Sequence, residues 1–223
     1  MAALRLGVLA SGSGSNLQAL LDACANGALS AEVAVVLSNI ASARALERAK
    51  AAGVPAVLLP HQGFASRQAY DAAVVATLQH HRVDLVCLAG FMRIVTPVLL
   101  QAFENRILNI HPSLLPAFPG LHAVRQAIAA GVRISGCTVH LVDEGTDSGP
   151  ILLQAAVPVL PGDSEESLAA RILVQEHRAY LRAVSLWAQG RVHVEGRRVQ
   201  IDQAPGDLAP TLSSPPPFDL GEL

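Results

Sequence analysis

The sequence predicts an α/β fold, an open, mostly parallel, twisted sheet of Rossmann-like type with helices on both faces. Short β-branched runs alternate with alanine-rich segments of 3.6-residue period, the pattern of parallel strands joined by crossover helices. The stretch DLVCLA at 84–89 is apolar without a break, as a strand covered on both faces should be. The glycine turn Ser11-Gly12-Ser13-Gly14 follows at once on the first apolar run, where such a fold passes from strand to helix.

Taken in order, residues 4–9 form the first strand. A helix follows at 15–26, a strand at 33–38, a helix at 43–52, a strand at 54–59, a helix at 66–80 and the central strand at 84–89. Residues 107–110 make another short strand. The segment after it, HPSLLPAFPG, holds three prolines and a glycine within ten residues and must leave regular structure as a shaped loop. Helix returns at 122–130, strands at 134–142 and 151–159, and Asp163-x-x-Glu166 caps a long helix that runs to 187. Residues 191–194 and 197–201 resemble a hairpin turning at Glu195-Gly196. One domain therefore spans 1–202, and five prolines without periodicity mark 203–223 as a Pro-rich, disordered tail.

Composition narrows the function. The chain has 223 residues, 51% hydrophobic and 15% charged, enough apolar surface for a single core. A net charge of -2 and a single lysine, Lys50, give no basic track for a phosphate backbone, so no nucleic-acid partner is expected. Cys24, Cys87 and Cys137 are odd in number and widely spaced, which reads as reduced core thiols rather than a disulfide or metal framework. The opening MAALRLGVLA runs into a glycine turn and not a cleavage site, and no apolar stretch reaches the roughly 18 residues of a membrane helix. The expectation is a cytoplasmic protein that needs neither membrane nor metal.

Two places carry chemistry. Ser11 to Asn16 joins a strand to a helix, where free backbone N–H groups and the helix dipole favour an anion. A dinucleotide is disfavoured because Leu17 stands where GxGxxG needs its third glycine, and Ser38-Asn39 stands where a ribose-binding acid is expected. A monophosphate site fits, with a plain helix-capping turn as the alternative. Asn109 and His111, two residues apart, share one face at the carboxyl end of a strand, the edge where open α/β sheets bind ligands. Asp143-Glu144-Gly145-Thr146-Asp147 is a second polar loop. A lone strand-end histidine is more often structural, and an acidic loop is more often a solvated turn. Together an amide, an imidazole and a carboxylate make a set that can stabilise an oxyanion and move a proton.

The blocks SGSGSNLQAL, SRQAYD, LAGFMRI, LNIHPSLLPAFPGLHA, HLVDEGTDSGPI and GDSEESL follow one another as in the glycinamide ribonucleotide transformylase family of folate-dependent formyltransferases, which the chain resembles from about Arg5 to Ile201. The resemblance implies the formyltransferase fold and formyl transfer from 10-formyltetrahydrofolate to glycinamide ribonucleotide, by a monomer or weak homodimer. It makes Asn109, His111 and Asp147 catalytic, with His111 the proton donor. It assigns the substrate phosphate to Gly14, Ser15 and Asn16, and the ribose hydroxyls to Glu176. Folate contacts fall to Arg67, Met92, Arg93, Ile94, Val95 and Asn109, and to the loop Asp143, Glu144, Gly145, Thr146 and Asp147 around the pterin. Ala117 and Val124 replace longer or polar side chains of some relatives. Direct attack of an amine on the formyl carbon agrees with the lack of a GxSxG nucleophile elbow.

Three rival readings remain. A formyltetrahydrofolate deformylase would share the chemistry but carry a regulatory domain ahead of the first strand, and a methionyl-tRNA formyltransferase would want a basic appended domain. A non-catalytic nucleotide-binding module would explain the glycine loop and leave Asn109, His111 and Asp147 without purpose.

Overall fold

Strands β1 (Leu4–Leu9), β2 (Ala31–Ser38), β3 (Ala56–Leu58), β4 (Leu85–Leu88), β5 (Ile107–His111), β6 (Ile134–Leu141) and β7 (Ile151–Pro158) form one sheet in the order β3-β2-β1-β4-β5-β6-β7. The computed structural model describes residues 3–202, so the tail expected at 203–223 lies outside the described residues. β1 to β5 pair in parallel, and β6 and β7 are added antiparallel at one edge. Because β1, β4 and β5 run the same way, the loops that follow them emerge at one edge of the sheet. That edge is where the predicted chemistry gathers.

The apolar run through β4 is central and buried on both faces. Leu85 and Cys87 join Leu6, Val8, Leu108 and Ile110 in a core beneath α1 (Ser15–Ala25) and the long helix Glu165–Ala188. Val86 and Leu88 join Leu9, Val35 and Ile107 in a second core beneath α3 (Arg67–His80). The alternation follows from the two-residue period of a strand, and a fully buried leucine contributes roughly 1.5–3 kcal/mol. Gly7 lets α3 approach, since a Cβ there would lie 2.5 Å from Leu78 Cδ2. The helix α2 (Arg44–Ala51) sets Ala45 and Ala49 into the first core.

Three details depart from the sequence reading. A short helix α4 (Pro97–Ala102) begins with Pro97 in its first turn, and a 3₁₀ turn occupies His61–Gly63. Both are too short to show a period. Helix α5 (Ala123–Ala129) follows the proline-rich loop as expected, but the cap of the last helix, α6 (Glu165–Ala188), is shifted by one residue. Ser164 accepts from the Ser167 amide at 3.2 Å, and Ser167 Oγ accepts from the Ser164 amide at 3.0 Å, so two serines make the reciprocal box expected of Asp163 and Glu166. Asp163 instead pairs with Arg171, whose hydrogen bonds, with those from the Leu160 amide and Ser167, hold its carboxyl well below the ordinary range. The hairpin is present as β8 (Val192–Glu195) and β9 (Arg198–Ile201).

Candidate active site

β5 alternates in the way the site requires. Leu108 and Ile110 pack into the core under α6, so Asn109 and His111 project to the other face, at the strand's carboxyl end. There they meet Asp147, carried in from the loop between β6 and β7. His111 Nδ1 lies 3.3 Å from Asp147 Oδ2, and Asn109 Nδ2 lies 3.4 Å from Asp147 Oδ1. The Gly120 amide donates to Asp147 Oδ2 at 2.8 Å. Asp147 holds φ of 51°, a left-handed conformation that costs a non-glycine residue energy and persists only where its surroundings over-determine it.

The electrostatics are consistent with an ionised acid beside an imidazole. Partial burial pushes the Asp147 carboxyl up, but hydrogen bonds from His140 and the Gly120 amide, with the charges of His111 and His140, bring it below the ordinary range. His111 is 5% exposed, and its Nε2 lies 2.9 Å from the Phe118 carbonyl. A carbonyl and a carboxylate both accept, so the ring satisfies both neighbours only when doubly protonated. Phe118 sits in the proline-rich loop with φ of 56°, so its carbonyl occupies the Nε2 side of the His111 ring.

These groups line a cavity of about 540 Å³, within the range of small-molecule sites. Met92, Arg93, Ile94 and Val95 line it from the loop after β4, and Asp143, Gly145 and Thr146 from the Asp147 loop. Met92 and Ile94 are exposed, whereas Val95 is buried in the core beside α4. Glu144 is turned into a smaller neighbouring cavity with Glu104, and Arg67 opens α3 away from the lining. Arg93 stacks its guanidinium over Tyr70, 4.8 Å from the ring centroid.

Gly14, Ser15, Asn16 and Glu176 come together separately, on the α6 side of the sheet. Gly14 precedes the first residue of α1 with φ of 70°, so the Ser15 and Asn16 amides open the helix. A Cβ on Gly14 would lie 3.0 Å from Ala45 Cα, which closes the position to larger residues. Asn16 Nδ2 donates to Glu176 Oε2 at 2.8 Å, while Asn16 Oδ1 is buried without a partner. Such an orphan is what a polar ligand or a water would satisfy.

Glu176 occupies the apolar stripe of α6 among Leu168, Ile172, Ala179 and Tyr180. Burial pushes its carboxyl up, and the Asn16 hydrogen bond offsets part of that. A raised carboxyl favours folding below its unfolded value and loses that contribution as pH rises through the folded one, so at neutral pH its charge disfavours the free protein. Glu176→Gln should therefore raise Tm at pH 7.5 by about 2–4 °C, the shift that about 1 kcal/mol makes in a chain of this size. A lower Tm at that pH would show that the carboxylate is already compensated.

Residues 4–184 match the formyl transferase family. The chain belongs to that family. It is 50% identical, over 193 residues, to the phosphoribosylglycinamide formyltransferase of Mycobacterium tuberculosis, covering 86% of this chain and 89% of that protein. It is also 50% identical, over 208 residues, to the trifunctional purine biosynthetic protein adenosine-3 of Drosophila pseudoobscura pseudoobscura, covering 92% of this chain but only 15% of that much longer protein. The crystal structure of glycinamide ribonucleotide transformylase 1 from Symbiobacterium toebii superposes with a TM-score of 0.88 at 59% identity, covering 89% of this chain and 94% of that one.

Within this formyl transferase the sequence reading missed His140. β6 sets it directly across from Asn109, with His140 Nε2 at 3.1 Å from Asn109 Nδ2 and 3.6 Å from Asp147 Oδ1. Its Nδ1 lies 2.8 Å from the Leu141 carbonyl and so carries a proton. Neutral, His140 accepts from the Asn109 amide; protonated, it donates toward Asp147. The register that brings it there is not written in one sequence. Cys87 and Cys137 are buried in the core, which pushes both thiols up to about 12, whereas Cys24 is only partly buried at its edge. No described helix is long and apolar enough to cross a membrane.

Proposed function

We propose that the protein transfers a formyl group from 10-formyltetrahydrofolate to the amine of glycinamide ribonucleotide, giving formylglycinamide ribonucleotide and tetrahydrofolate in de novo purine synthesis. The observation that carries this reading is the contact of Asn109, His111 and Asp147 in the lining of one largely apolar cavity. Family membership and the likeness to named phosphoribosylglycinamide formyltransferases support it.

The amine attacks the formyl carbon, a C–N bond forms, and the carbonyl oxygen takes up negative charge. Asn109 and protonated His111 donate to that oxygen, and one such donor is typically worth about 3 kcal/mol. Asp147 favours the charged imidazole and helps to carry the proton lost by the amine to the departing folate nitrogen. Collapse then breaks the bond to that nitrogen and leaves tetrahydrofolate. Every step uses side chains of this chain and the two substrates, with no metal.

The loop Gly14, Ser15 and Asn16 binds the ribonucleotide phosphate, and Glu176 meets its ribose hydroxyls. Met92 to Val95, Asp143, Gly145, Thr146 and Asp147 hold the folate within the cavity they line, while Arg67 and Glu144 lie outside that lining. The enzyme works in the cytoplasm on small molecules, as a monomer or weak homodimer. Gly14→Val, which forces a branched side chain against Ala45, should raise the KM for the ribonucleotide at least tenfold with the folate KM nearly unchanged. Equal losses for both substrates would contradict that division of the site.

The deciding experiment offers glycinamide ribonucleotide, water and tRNA in parallel with 10-formyltetrahydrofolate. Formyl transfer to the ribonucleotide alone is expected. Release of formate at a comparable rate, or transfer only to tRNA, would overturn the assignment.

A further inference from the structure

We infer that Ser11 is a positioning residue that fixes the folate loop from within the ribonucleotide loop. The inference rests on the reading above, which assigns the loop after β1 to one substrate and the loop after β4 to the other. Ser11 begins the first of these loops, but two of its three bonds go to the second. Its amide donates to the Gly90 carbonyl at 2.9 Å, and its Oγ accepts from the Met92 amide at 2.9 Å. The same hydroxyl donates to Asn39 Oδ1 at 2.6 Å.

The direction of this chain is forced. Met92 N–H can only donate, so the Ser11 oxygen accepts there and its own proton goes to Asn39. Asn39 is 4% exposed, and its Nδ2 faces His61 Nδ1 at 3.3 Å. Asn39 thus stands where a dinucleotide fold keeps its ribose acid, yet its side chain works inward. A second arm holds the same folate loop at its far end, where the Thr96 amide donates to the buried Asp71 carboxylate at 2.6 Å. Between these two anchors, at Met92 and Thr96, lie Arg93, Ile94 and Val95.

The first loop does not depend on the Ser11 hydroxyl in the same way. Ala45 N–H reaches the Gly12 carbonyl at 3.2 Å, and Arg48 Nε donates to the Ser13 carbonyl at 2.8 Å, so α2 holds it independently. Removing the hydroxyl should therefore loosen the folate loop and leave the ribonucleotide loop in place.

Ser11→Ala is expected to raise the KM for 10-formyltetrahydrofolate roughly tenfold, equivalent to about 1.4 kcal/mol. The KM for the ribonucleotide and kcat at saturation should change less than twofold. Ser11→Thr keeps the hydroxyl and should restore most of the folate affinity. Asn39→Ala should copy the defect, and the double variant should be no worse than the poorer single one, because both remove one link. Calorimetric titration of each variant with tetrahydrofolate gives the same comparison without turnover. A ribonucleotide KM that rises as much as the folate KM, or a Ser11→Ala enzyme with wild-type folate affinity, would overturn the inference while the formyl-transfer reading stands. A wild-type protein that binds neither substrate would overturn both.

Discussion

An Asn109→Ala enzyme is expected to turn over about 10²–10³ times more slowly than the wild type, with little change in either KM. The amide lines the cavity with His111 and is held by His140 at 3.1 Å. Its second N–H reaches Asp147 at only 3.4 Å, a weak contact that an oxyanion can outbid. A preorganised donor of this kind acts on charge that exists only in the transition state, so its loss falls on kcat. Asn109→Asp tests the sign, because a carboxylate aimed at the same oxygen repels it and should be slower still. Steady-state kinetics with both substrates varied distinguishes this from a binding role. A large rise in folate KM at unchanged kcat would make Asn109 a binding residue instead.

The parts of this site legible in the sequence are those fixed by local period. Asn109 and His111 share a face because a strand alternates, and the structure sets them at the sheet edge from which the loops after β1 and β4 also emerge. Glu176 is given in the sequence only by the family resemblance, although its place on α6 has a local reason. It sits one turn after Ile172 and one turn before Tyr180 in the stripe that α6 buries, where an acid without a partner would be costly. The bond to Asn16, 160 positions away, supplies that partner.

What was not legible depends on register and on loop paths. His140 faces Asn109 only because β6 joins β5 antiparallel with that pair opposed, and a shift of one residue would turn His140 to the other face. Asp147 reaches His111 through a left-handed residue in an irregular loop, which no period encodes. α4 is six residues long, less than two turns, and was hidden for that reason. The capping error at Ser164 is of the same kind, since Asp163 and Ser164 are both good caps and only the chain path decides between them.

The largest effect should come from breaking the pair of Asp147 and His111. Asp147→Asn keeps the size of the side chain and removes its charge, and is expected to cut kcat by about 10²–10⁴, the usual range for a proton-transfer partner. His111 Nδ1 stands 3.3 Å from Asp147 Oδ2, so the carboxylate stabilises the positive charge that the ring carries when it donates to the substrate oxygen. Removing the carboxylate should therefore fall on kcat, with little change in either KM. Stability supplies an independent check of the sign. A carboxyl held below its ordinary value stabilises the fold above the unfolded value and loses that contribution as pH falls through the folded one. Tm should accordingly drop in Asp147→Asn near neutral pH, with the difference from wild type closing as the buffer is made strongly acidic. His111→Ala should lose activity on the same scale as Asp147→Asn. The double variant should be little worse than either single one, because groups that act as one unit are not additive. Losses that multiply, or a kcat that stays at the wild-type value in Asp147→Asn, would mean that the two residues contribute separately despite the 3.3 Å between them.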